Sequence, residues 1–139
     1  LDVLVVNGSE ADYADTRYFS NFWPVFERVG VAIAANGEYM LMVGPESQVF
    51  AGDFSWMDKI AVVYQYRESA NPAYPELKSE TFKDVFRKLG VTGENIRIGV
   101  AAKLKYIADG LSRLLGAGEA PAGFGKMIVK GEPWTDEQE

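Results

Sequence analysis

The sequence predicts an α/β domain built on a mixed sheet of about five or six strands with flanking helices. Two observations carry that expectation. Two apolar segments, 29–35 and 38–43, flank Asn36-Gly37, the dipeptide that most readily takes the two positive φ angles of a type I′ hairpin turn. Further along, short apolar runs alternate with segments whose apolar residues recur at the helical period, and that order requires crossover connections between parallel strands. The hairpin then makes the sheet mixed rather than wholly parallel.

From the amino terminus, "DVLVVNGS" places a buried strand over Val3 to Val6, closed by Asn7-Gly8. Ser9 and Asp12 have the spacing of a capping box that opens a short helix. "RYFSNFWPVF" concentrates rings around Pro24 and is expected to form a strand or loop that packs large side chains. After the hairpin, "GPESQVFAGDFSW" reads as a short helix and loop, and "KIAVVYQY" as a strand from Ile60 to Tyr64. "RESANPAYPELKSE" is a loop punctuated by Pro72 and Pro75.

From Ser79, the residues Phe82, Val85, Phe86 and Leu89 repeat at helical spacing up to Gly90. Glu80 stands in the first turn and Arg87 and Lys88 in the last, in accord with the helix dipole. "NIRIGVA" is a further strand, and Leu104, Ile107, Leu111, Leu114 and Leu115 mark a second amphipathic helix ending at Gly116. Beyond it the composition shifts to Gly, Pro, Ala and acidic residues. Residues 1–115 are therefore expected to form the domain and 116–139 a linker or tail, in which "KMIV" can add a short edge strand.

At 139 residues, 47% of them hydrophobic and 24% charged, the chain fits one ordinary domain with a real core. It contains no His and no Cys. That excludes Ser-His-Asp and Cys-His catalysis, disulfides, and nearly all zinc hydrolase chemistry within these residues. The missing Cys also favours a reducing, cytoplasmic compartment. A net charge of -6, with 14 basic residues scattered among 20 acidic ones, argues against nucleic acid as a partner. No apolar run approaches the ~20 residues of a membrane helix, so no membrane partner is expected. The chain opens on Leu1, and "LDVLVV" lacks the length and cationic flank of a signal peptide, so a fragment or processed form is expected.

Most candidate chemistry has a plainer explanation. "GAGEAPAGFG" follows a helix rather than a strand and opens no helix, so it fails as a phosphate loop and reads as linker. "NGS" at 7–9 is a glycosylation sequon without secretory context. Glu10, Asp12 and Asp15 do not share one helical face and are better explained as acids at a helix start, and Glu46 has the same status. "EPWTDEQE" is a solvated charge run. Arg28 and Trp56 keep two readings. Arg28, between Phe26 and an apolar strand, either pairs a local carboxylate or meets an anion. Trp56, in a loop, either covers its own core or contacts a partner.

The succession "DVLVV", "YADTRYFSNF", "ERVGVAIAANGEYMLMVGPES", "IAVVY", a helix ending "KLG" and then "NIRIGVA" resembles the amino-terminal domain of the creatinase/prolidase/aminopeptidase P family over about residues 1–115. The resemblance implies ribonuclease H-like architecture and a domain with no catalytic residue, metal ligand or cofactor of its own. It would precede a carboxyl-terminal metallopeptidase domain holding a dinuclear Mn, Co or Zn site. It also implies a cytoplasmic homodimer acting on proline-containing peptides, with this domain capping the cleft of the neighbouring subunit. Within that resemblance "FER" places Phe26 and Arg28, and "SWMDK" places Trp56, on positions that reach substrate in trans. The family's last strand commonly ends Gly-Val-Glu, whereas here Ala101 follows Gly99-Val100. Two alternatives stand beside this reading: a pseudo-enzyme or protein-interaction domain, and, more weakly, a flavodoxin-like small-molecule binder, for which no phosphate-cradling loop follows a strand.

Overall fold

Apolar and β-branched residues occupy both faces of the inner strands, which is the pattern of a sheet covered on both sides. In the computed structural model, which describes residues 1–67, 78–93, 95–101 and 128–129, these strands form a mixed six-stranded sheet in the order β4-β3-β2-β1-β5-β6. The elements are β1 (Val3–Gly8), α1 (Ala14–Ser20), β2 (Val29–Ala34), β3 (Tyr39–Val43), a 3₁₀ turn (Pro45–Ser47) leading into α2 (Gln48–Phe54), β4 (Ile60–Val62), a 3₁₀ turn (Tyr64–Tyr66), α3 (Phe82–Lys88), β5 (Ile98–Ala101) and β6 (Ile128–Val129). β2 runs antiparallel to β1 and β3, while β1 pairs with β5, β3 with β4 and β5 with β6 in parallel. β6 is the short edge strand foreseen in "KMIV".

The core divides by strand alternation. On one face Val3, Val5, Ala32, Met40, Met42, Ile98 and Val100 pack with Val85 and Phe86 of α3 and with Leu89, which caps its end. On the other, Val6, Val31, Leu41 and Val43 pack with Ala51 of α2, Phe22 and Met57. Burial of each such side chain stabilises the fold by roughly 1.5–3 kcal/mol.

The hairpin stands where Asn36-Gly37 puts it, with a different turn. Ile33 pairs with Tyr39, the Ala34 N–H donates to Glu38 O at 2.8 Å and the Gly37 N–H to Ala34 O at 3.0 Å. Three loop residues therefore replace the expected two, and Gly37 alone takes a positive φ, of 88°. This is a type I turn followed by a left-handed glycine rather than a type I′ turn. Asn36 uses its side chain instead: Nδ2 donates to Leu89 O (3.0 Å) at the end of α3, and Oδ1 accepts from the Glu38 N–H (3.0 Å).

Three boundaries also differ from expectation. Ser9 and Asp12 exchange backbone hydrogen bonds of 3.0 and 3.1 Å in a tight turn, so they form no capping box, and α1 begins at Ala14 behind Tyr13 with no side-chain cap. That helix absorbs Arg17 to Ser20 from the ring-rich segment expected to be strand or loop, and it ends at Asn21 in the left-handed conformation (φ 57°). β4 stops at Val62, and Glu80 extends the sheet beside Val63 instead of starting α3. The cap of α3 is Thr81, whose hydroxyl accepts from the Asp84 N–H while Asp84 accepts from the Thr81 N–H. The loop with Pro72 and Pro75, the helix expected over Leu104 to Leu115 and the tail apart from β6 lie outside the described residues.

Candidate functional site

The carboxyl ends of β1, β3, β4 and β5 and the start of β2 fall on one edge of the sheet, the edge where α/β sheets place their ligands. Arg28 stands there, half-buried, one residue before β2. Its neighbour Phe26 is exposed, whereas Glu27 between them is 2% exposed.

Glu27 is buried through long-range contacts. Its Oε2 accepts from the Ser47 N–H at 2.8 Å. Its carboxyl lies flat against Gly44, in space that any side chain there would fill. It also meets the carboxyl of Glu46. With both groups ionised neither has a proton to offer, and among the described residues Glu27 Oε1 is buried with no other partner. Burial first, then the Glu46 carboxyl, pushes Glu27 up to about 7. Glu46 moves the opposite way, held below the usual carboxylate range by its hydrogen bond with Glu27 and, more weakly, by the positive charge of Arg67. The proton of the pair therefore resides on Glu27.

A second polar group lies on the α3 face. Tyr66 is buried, stacked edge-on against Phe82 at 5.4 Å, and its hydroxyl rests over Gly30, which lacks the side chain that would collide with it. Burial pushes the ionisation of Tyr66 upward, and the nearby Arg28 charge opposes it. Asn7 pairs with Gly30 across β1 and β2. Among the described residues, Asn7 Oδ1, Tyr66 OH, Gln65 Oε1 and Arg67 Nη2 are buried without a hydrogen-bond partner.

An apolar groove adjoins the acid pair. Phe22, Trp23, Val25 and Phe26 form one wall, and Ser47, Phe50 and Phe54 the other, around about 220 Å³. Trp23, Val25, Phe26, Phe50 and Phe54 are exposed. The Glu27–Ser47 hydrogen bond ties the walls together at one end, and Asn21 Nδ2 donating to Phe54 O (3.2 Å) ties them at the other. The Arg17 guanidinium covers the Trp23 ring at 4.4 Å.

Trp56 is not one of the lining residues. It is 66% exposed, and its indole N–H donates to Phe19 O at 2.6 Å, joining the segment after α2 to the end of α1. Of the three residues singled out in the sequence, Phe26 thus lies in the groove, Arg28 at the polar edge near Tyr66, and Trp56 beside the α1 terminus. Glu27 and Tyr66 were not foreseen. The signal for Glu27 was a carboxylate entering an apolar strand whose hairpin partner ends in Gly44. Among the described residues, no group of three or more acidic residues is placed to hold a metal ion, so Glu10, Asp12 and Asp15 form no such cluster and the dinuclear site of the resemblance does not fit here. No described helix is long and apolar enough to cross a membrane.

No protein-family model and no curated protein sequence matches the chain. Solved structures do. A proline dipeptidase from Streptococcus pneumoniae is matched over 93% of this chain and 80% of that one at 18% identity, with a TM-score of 0.56. An Xaa-Pro aminopeptidase from Streptococcus pyogenes is matched over 94% and 78% at 13% identity and TM-score 0.51. For an X-Pro aminopeptidase from Thermotoga maritima the figures are 93% and 29%, 16% identity and TM-score 0.54, so the chain spans under a third of that protein. The chain shares the mixed-sheet α/β fold found in these Xaa-Pro peptidase structures.

Proposed function

We propose that this chain is the non-catalytic amino-terminal domain of a metal-dependent Xaa-Pro dipeptidase or aminopeptidase, aiding dimerisation and capping the substrate cleft of the neighbouring subunit. The observation that carries the reading is a fold shared over 93–94% of this chain with Xaa-Pro peptidase structures, two of which extend to more than three times the matched length. The absence of His and Cys agrees with it, because the dinuclear Mn, Co or Zn chemistry would then belong to a following domain. Arg28 suits a substrate carboxylate, since its planar fork binds one bidentately, and Phe26 and Trp56 offer exposed rings to a proline-containing peptide. Its setting is the cytoplasm, as the lack of Cys favours.

The test is to express the chain joined to the sequence encoded after Glu139 and assay Xaa-Pro dipeptides with added Mn²⁺. Hydrolysis by the longer protein and none by the 139-residue chain is the expected result. Turnover by the short chain alone refutes the reading. The exposed rings of the groove favour a second reading, a protein-interaction domain without peptidase activity. A downstream sequence lacking Asp, His and Glu metal ligands would select it.

A further inference from the structure

We propose that the face carrying the aromatic groove is a two-fold interface between copies of this chain, each copy seating exposed side chains of the other in its groove. The inference rests on the reading above only in giving a surface to the dimerisation proposed there; the partner is argued from the groove itself.

Trp23, Val25, Phe26, Val49, Phe50 and Phe54 are between 41% and 73% exposed. All but Val49 line the groove, and Val49 precedes Phe50 on α2. The four rings, each about half exposed, offer roughly 400 Å² of apolar surface, and the two valines raise it above about 500 Å². A dimer contact of standard size buries about 800 Å² per copy, of which roughly 65% is apolar, so this patch supplies the apolar core that such a contact needs. Burying it orders little. The hydrogen bonds from Ser47 to Glu27 and from Asn21 to Phe54 already fix the walls at both ends.

Charge selects a second copy as the occupant. The chain carries a net charge of -6, so two copies repel wherever their acidic surfaces meet. None of the described residues that line the groove is charged, so here two copies meet without opposing like charges. At the rim the signs differ: Arg17 lies over the Trp23 ring and Asp53 precedes Phe54, which lets a two-fold axis set Arg17 of one copy against Asp53 of the partner subunit. Shape agrees with charge. A groove of about 220 Å³ lies beside Val49 and Phe50, which stand out from α2, and symmetry makes the contact twice.

The experiment is sedimentation equilibrium of the 139-residue chain from about 1 to 200 µM in about 0.15 M NaCl. The expected result is a monomer–dimer equilibrium with a dissociation constant below about 100 µM. Phe50→Glu puts one new charge into each half of the contact and should raise that constant at least about 100-fold. Lys83→Ala adds the same single unit of negative charge on α3, across the sheet from the groove, and should change it by less than about threefold. Circular dichroism checks the folding of each variant. Should Phe50→Glu fail to fold, Val49→Glu takes its place, since that side chain is the more exposed. A wild type that stays monomeric throughout overturns the interface and leaves the face to another partner; so does a folded Phe50→Glu chain that dimerises as tightly as Lys83→Ala. The two proposals fail separately. A monomeric short chain beside an active longer protein strikes the interface alone, and a dimeric short chain with no peptidase encoded downstream strikes the peptidase reading alone.

Discussion

Gly44→Ala probes how Glu27 is seated. Gly44 has φ -77° and ψ 168°, extended backbone that alanine adopts without strain, so any cost must be spatial. A methyl there would lie 2.6 Å from Glu27 Oε2 and closer still to Oε1 and Cδ, against an ordinary contact of about 3.5 Å. The carboxyl has to move by about 1 Å in a site that is 2% exposed, and that motion breaks its 2.8 Å bond from the Ser47 N–H. Overpacking of this kind costs about 1–3 kcal/mol and the lost hydrogen bond about 1 kcal/mol more. We expect a loss of about 2–4 kcal/mol in urea unfolding at about pH 6, or roughly 10 °C in Tm. In a Glu27→Ala background the obstacle is gone, and the same Gly44→Ala change should cost under about 0.5 kcal/mol. Equal costs in the two backgrounds would refute the seating.

Two further outcomes follow from the caps and ion pairs. Thr81→Ala removes the hydroxyl that accepts from the Asp84 N–H, while the bond from the Thr81 N–H to the Asp84 carboxylate can remain. It should cost about 1 kcal/mol in urea unfolding, and Thr81→Ser keeps most of the cap. Asp2 is held down to about 2 by hydrogen bonds from Arg97, which ties the start of β1 to β5. Its folded value lies below its unfolded one, so the stability it adds is present above about pH 4 and lost as the pH falls towards 2. Asp2→Asn should flatten that acid limb of a urea-midpoint profile, and about 1 M NaCl should shrink the difference, because the pair is exposed.

What the sequence shows and hides follows contact range. Strand positions were legible because the apolar residues that define β1, β2, β3 and β5 are consecutive and need no partner to be recognised. The placing of the hairpin was equally local, but its turn was not. Asn36 takes its conformation with a side chain bonded to Leu89 O, 53 residues away, and no local rule for Asn-Gly contains that bond. Helix α1 was hidden because Thr16 and Ser20, its fully buried positions, are polar, while Tyr13 and Tyr18 face solvent, inverting the usual pattern. The candidate site was half legible. Phe26 and Arg28 stood out by type, but Glu27 gains its character from Gly44, Glu46 and Ser47, and Tyr66 from Gly30, all brought together only by sheet pairing.

Arg28 tests the central claim, that this domain supplies contact surface to a substrate bound elsewhere. The measurement is Xaa-Pro dipeptide kinetics of Arg28→Ala in the protein that includes the downstream domain, alongside the Tm of the same variant of the 139-residue chain. Losing a charged hydrogen bond to a carboxylate is worth about 1.5–3 kcal/mol, so KM should rise roughly 10- to 100-fold, with kcat changed by less than about threefold and Tm unmoved. Unchanged kinetics together with a fall in Tm would contradict the account and leave Arg28 a structural ion-pair residue.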